Sequence, residues 1–94
     1  MGVKITGLDK LSRKLDEVSK FAKDVDGHLG EVKFDPRNPG DIERTIAEME
    51  TMVDERALRY SRNDAVRNIA DQMKQTYRQA ILDKAAAARL EGQV

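Results

Sequence analysis

Asn63-Asp64-Ala65-Val66-Arg67-Asn68-Ile69-Ala70-Asp71-Gln72-Met73-Lys74-Gln75-Thr76-Tyr77 runs without interruption into Arg78-Gln79-Ala80-Ile81-Leu82-Asp83-Lys84-Ala85-Ala86-Ala87-Ala88-Arg89-Leu90-Glu91. Val66, Ile69, Ala70, Met73, Tyr77, Ala80, Ile81 and Ala85 recur at steps of three and four, the period of one helical face. Lys84 to Arg89 are among the strongest intrinsic helix formers. Ser61 or Asn63 supplies a cap with Asp64 in the first turn, and Gly92 supplies a stop. The spacing therefore predicts a single helix over 63–91, roughly 40 Å long at about 1.5 Å per residue. A chain of 94 residues makes one domain at most.

Upstream, Ile42, Ile46, Met49, Met52, Val53, Ala57 and Tyr60 mark a second amphipathic helix over 39–60. Asn38 is placed to cap it, Pro39 suits its first position, and Asp41 sits in its acid-favouring first turn. Leu8, Leu11, Leu15, Val18, Phe21, Ala22 and Val25 mark a first helix over 8–26. Asp9 with Arg13 and Asp16 with Lys20 stand acid-first at four-residue spacing on its polar side. Gly27 and Gly30 are expected to end it, opening a loop over 27–38. The alternating stretch Val3-Lys4-Ile5-Thr6 within an extended arm over 1–7, and Glu31-Val32-Lys33-Phe34 in the loop, are candidates for a short strand or a two-stranded ribbon. The expected fold is mainly α: three helices, a short N-terminal strand or ribbon, and a long C-terminal helix.

The core that these helices share is thin. The aromatic residues are Phe21, Phe34, Tyr60 and Tyr77, Trp is absent, and 36% of the residues are charged. A small chain buries a small fraction of its surface, and aromatic side chains usually carry much of that burial. A helix of such length then outruns the cover its own chain provides. Tyr77, Ile81 and Ala85 are expected to stay accessible in an isolated subunit and to be covered by a partner, which predicts a homo-oligomer or a complex with another protein.

The chain lacks the side chains that most chemistries need. His28 is the one histidine and cysteine is absent, which leaves neither a triad nor a zinc ligand set. Asp24-Val25-Asp26-Gly27 does not hold the calcium-loop register, because His28 and Leu29 fall at the fifth and sixth positions. Gly27 and Gly30 lack the Gly-Lys-Ser/Thr of a phosphate loop. Glu48 with Glu55 and Glu50 with Asp54 are carboxylate pairs on a solvated helix face. No enzyme activity, cofactor, metal or small-molecule substrate is expected.

Seventeen basic and seventeen acidic residues leave no net charge, which argues against nucleic acid as the default partner. The charges segregate nonetheless. Asp41, Glu43, Glu48, Glu50, Asp54 and Glu55 make the second helix acidic, and Arg56, Arg59, Arg62 and Arg67 make the following junction basic. These four arginines are the candidate surface for an acidic partner, a host protein or nucleic acid, the route for a small regulator or inhibitor. Met49, Met52 and Met73 lie on apolar stripes, where core filling is the plainer role. No stretch approaches the roughly 20 apolar residues of a membrane span, and the N-terminus lacks a signal-peptide run, so a cytoplasmic location is expected.

Val3-Lys4-Ile5-Thr6-Gly7-Leu8-Asp9-Lys10-Leu11, followed by Lys14-Leu15, resembles the opening of small bacteriophage tail-completion or head–tail joining proteins. Those begin with a short strand, then Gly-Leu, then a Leu-rich amphipathic helix. The later β-rich half and the Gly-x-Leu-x-x-Ser stretch of that family have no counterpart here. The chain as a whole is similar to small bacterial proteins that travel with prophages. The resemblance implies an assembly role, a phage or prophage setting, and host cytoplasm or virion as location. It assigns no functional residue.

Overall fold

The computed structural model describes residues 6–30 and 32–92. Three helices follow one another: α1 (Thr6–Leu29), α2 (Pro39–Ala57) and α3 (Asp64–Glu91), with a 3-10 turn over Leu58–Tyr60 between α2 and α3. The expected strand at Val3–Ile5 lies outside the described residues. Thr6, expected at its end, already belongs to α1, and Val32–Phe34 is irregular, so no ribbon forms among the described residues.

α1 runs past Gly27 to Leu29, three residues beyond the expected end. Among the described residues no glycine has a positive φ, so Gly27 does not turn the chain. A mid-helix Gly costs about 1 kcal/mol against Ala. Continuing the helix lets Leu29 pack on the core, which offsets that cost. α2 begins as its sequence dictates, with the Asn38 side chain accepting from the Asp41 N–H at 3.1 Å and Pro39 in the first turn. It ends at Ala57 instead of Tyr60 because its last turn tightens to i→i+3 bonding, a common way to finish a helix. α3 matches its expected span, with Asn63 as cap.

Phe21 and Val25 of α1, Met49 and Val53 of α2, and Val66 and Ala70 of α3 form one buried core. Phe21 is fully buried and meets Tyr60 edge to face, ring centroids 6.3 Å apart. Full burial of a side chain of this class stabilises by about 1.5–3 kcal/mol. α2 and α3 pair antiparallel, with Lys74 2.8 Å from Asp54. α1 lies across both and parallel to α3, since Lys14 meets Asp64 and Tyr77 bonds Asp26. The result is a rod, 72 × 22 × 18 Å, with a radius of gyration of 17.8 Å. A compact domain of this length would measure about 12 Å.

Asn63 joins the helices at one end of the rod. Its side-chain oxygen accepts from the N–H groups of Ala65 and Val66, capping α3. Its amide nitrogen donates to the Lys14 carbonyl at 3.1 Å and the Glu17 carboxylate at 2.9 Å on α1. Asn63→Ala removes the cap and leaves the α1 acceptors unmet, and is expected to cost about 2 kcal/mol in a denaturant titration.

Two carboxylates at helix starts sit below their ordinary value of 3.8: Asp41, through the Asp35 N–H and then Arg44, and Asp64, through Lys14. A carboxyl whose folded pKa is depressed stabilises above its unfolded value and loses that stabilisation as pH falls through the folded one. The melting temperature should therefore hold between about pH 7 and pH 5 and fall below about pH 4. Asp64→Asn should shallow that acid limb.

Candidate interaction surface

The four arginines of the second junction do not form one patch. Arg56 is half-buried and donates to Asp24 of α1 at 2.5 Å, and Arg59 lies 3.7 Å from the same carboxylate. Asp24, itself on the surface, thus neutralises part of the basic junction from another helix of the same chain. Arg62 stands exposed in the α2–α3 turn beside Glu17, whereas Arg67 lines a groove between α2 and α3.

The expected partner face on α3 is covered by the chain itself. Ala85, expected to be accessible, is 1% exposed. Pro36, Pro39, Ile42 and Ile46 line the space around it with Leu82, and Lys84 lies 5.3 Å above the Phe34 ring. Tyr77 and Ile81 are half-buried against the core, and the Tyr77 hydroxyl donates to Asp26. Two consecutive covers account for this. α1 lies on the first half of α3, and the segment leading into α2 lies on the second. An apparent shortage of core is met by covering α3, which α2 already accompanies, with α1 along one part and the irregular segment before α2 along the rest.

The uncovered apolar stripe is on α1. Leu8, Leu11 and Leu15 are 66%, 50% and 58% exposed, although they continue the stripe that buries Phe21 and Val25. The reason is register. Lys14 and Glu17 are level with Asn63 at the start of α3, so Leu8 and Leu11, before Lys14, project beyond the α2–α3 turn, while Leu15 stands about 80° around the helix from Val25 and about 120° from Phe21 and faces aside. Periodicity alone places these leucines on one helical stripe with the residues that are buried. No local signal in the sequence separates them, because cover depends on the register that Asn63 sets between α1 and α3. Lys14 flanks the stripe and is held by Asp64 at 2.6 Å, while the Asp16–Lys20 pair forms at 3.0 Å on the outer side. The expected Asp9–Arg13 pair is not formed among the described residues.

A second apolar feature lies at the same end. Asp54, Ala57, Leu58, Arg67, Ala70 and Asp71 line an open groove of about 430 Å³ between α2 and α3, and Leu58 is 72% exposed at its edge. A smaller cavity of about 60 Å³ adjoins His28, Thr45, Glu48 and Met49. The Thr45 hydroxyl there is buried and bonds to nothing. Among the described residues no three His, Cys, Asp or Glu side chains gather as a metal site, and no helix is long and apolar enough to cross a membrane.

These features define, among the described residues, a mainly α-helical, three-helix protein whose most distinctive surface is apolar. The chain belongs to the YuaX family, whose model matches residues 5–92 and so spans all three helices. It is 45% identical over 91 residues to the uncharacterized protein YuaX of Escherichia coli (strain K12), a match covering 97% of this chain and 94% of that relative. No solved structure matches it.

Thr45→Val replaces the unbonded hydroxyl with a methyl of similar size. It is expected to raise stability by about 1 kcal/mol in a thermal or urea titration, because a buried polar group without a partner is costly.

Proposed function

We propose that this chain is a non-enzymatic protein-interaction or assembly protein that acts through an apolar helical stripe, and that the stripe is Leu8, Leu11 and Leu15 of α1. The observation that carries this reading is their exposure of half or more on a helix that its own chain leaves uncovered. Three leucines on one stripe make the kind of face that a complementary apolar surface buries, at about 25 cal/mol per Å². Single exposed leucines are ordinary, whereas an aligned set on a projecting helix is a patch. The ion pairs from Arg56 and Arg59 to Asp24 weigh against the arginine junction as the main surface. A phage or prophage setting is part of the proposal, and its support is the Gly7-Leu8 helix opening and the leucines that follow it.

The test compares the immobilised full chain with Leu11→Asp and with Leu82→Asp, a substitution far from the stripe, in capture from bacterial lysate. Bands held by the wild type and Leu82→Asp and lost by Leu11→Asp support the reading. Identical capture by all three, with folding verified by circular dichroism, overturns it.

A further inference from the structure

We infer that the groove between the start of α2 and the end of α3 binds an acidic peptide segment of a partner protein, held by Arg37, Arg78 and Arg89 over an apolar floor. α2 and α3 are antiparallel, so this groove lies at the end of the pair away from the α2–α3 turn and from the leucine stripe. It is a second surface, beyond the one proposed above.

Two facing stripes build the groove. Along α3, Arg78, Leu82, Ala85 and Arg89 recur at steps of four, three and four and so share one face. Pro39, Ile42 and Ile46 line the α2 wall, and Pro36 and Arg37 close one end from the segment before α2. The groove measures about 380 Å³, within the usual range of ligand clefts. Ala85 is buried in its floor, while Leu82 stays 37% exposed. Lys74 is level with Asp54, so fifteen residues further along each helix Arg89 is level with Pro39, close to Arg37. Arg78 stands at the other end, about 16 Å from Arg89 along the helix axis.

The charge is unmatched within the chain. Arg44, Arg56 and Arg59 each find a carboxylate, whereas Arg37, Arg78 and Arg89 make no ion pair among the described residues. Glu43 is the carboxylate on the groove wall. Glu50 neighbours Arg78 in an adjoining depression, beside Lys74, which Asp54 and Asp71 hold. Set against both glutamates, three arginines still leave the groove basic on a chain with no net charge. Guanidinium groups take carboxylates in paired hydrogen bonds, so the complementary occupant carries acids at both ends and apolar side chains between them. Arg78, Leu82 and Arg89 are exposed, so the groove covers one side of what it binds. A free fatty acid would leave much of its chain in water there. A polypeptide segment buries its other side against its own protein. About five extended residues, at about 3.3 Å each, span the two cationic ends.

Selection of random displayed peptides on the immobilised full chain tests the inference. Enriched peptides are expected to carry Asp or Glu on both sides of apolar residues. A synthetic peptide of that consensus should bind more weakly as salt rises. Arg78→Glu and Arg89→Glu should each weaken it at least about tenfold, the scale of one charge-assisted contact, with an unchanged circular dichroism spectrum because both side chains are exposed. Leu82→Asp puts a carboxylate on the floor and should lose the peptide while keeping the proteins that the leucine stripe captures. Leu11→Asp should bind the peptide as the wild type does, so the two surfaces stand or fall separately. No enrichment, enrichment of peptides without acids, or binding that Arg78→Glu and Arg89→Glu leave unchanged overturns the inference.

Discussion

Asn63 fixes where the three helices stand relative to one another. Its oxygen closes the first turn of α3 and its amide group grips α1 at Lys14 and Glu17, while the neighbouring Asp64 holds Lys14. A buried amide with every bond made is worth more as a constraint than as a few kcal/mol, because any other register would leave it unmet. With Glu17 at Asn63, Phe21 falls on Tyr60 and Val25 into the core. The same register carries Leu8 and Leu11 past the end of the α2–α3 pair. Stability and exposure come from one interaction.

The elongated shape follows from the same staggering. α1 covers the first part of α3, and the Phe34-to-Ile42 segment covers the rest, with Lys84 over Phe34 and Ala85 closed in beneath Pro36 and Pro39. Small residues at Ala85 and Ala88 let an irregular segment approach α3 closely. A core poor in aromatic residues thereby covers a 28-residue helix without any side chain having to be large.

Much of this was legible in the sequence. The α2 cap at Asn38-Pro39, the Asn63 cap, and the apolar steps of α2 and α3 gave helices close to those observed, because caps and periodicity are local signals. The end of α1 was misplaced, since Gly27 reads as a stop locally while Leu29 continues the helix through tertiary packing. The expected accessibility of Ala85 differs from its burial within the chain for the same kind of reason. Tyr77, Ile81 and Ala85 lie on the longest helix, and periodicity cannot say which turns of an apolar stripe are covered. That depends on register between helices, which here is set by Asn63 across 46 to 49 residues of chain. The arginine cluster reads as a basic patch in sequence and is divided in space, with Asp24 reaching Arg56 and Arg59 from another helix.

The central proposal is that the first turns of α1, exposed in the chain itself, are a surface that another molecule covers. Hydrogen exchange of the full chain, alone and in complex with the proteins that it captures, tests it most directly, because amide protection reports local opening segment by segment. The account predicts that amides of residues 8–15 exchange rapidly in the chain alone and slow markedly in the complex, while those of Val66 to Tyr77 stay equally protected in both. Protection of residues 8–15 that is already core-like in the chain alone, and unchanged in the complex, would contradict it.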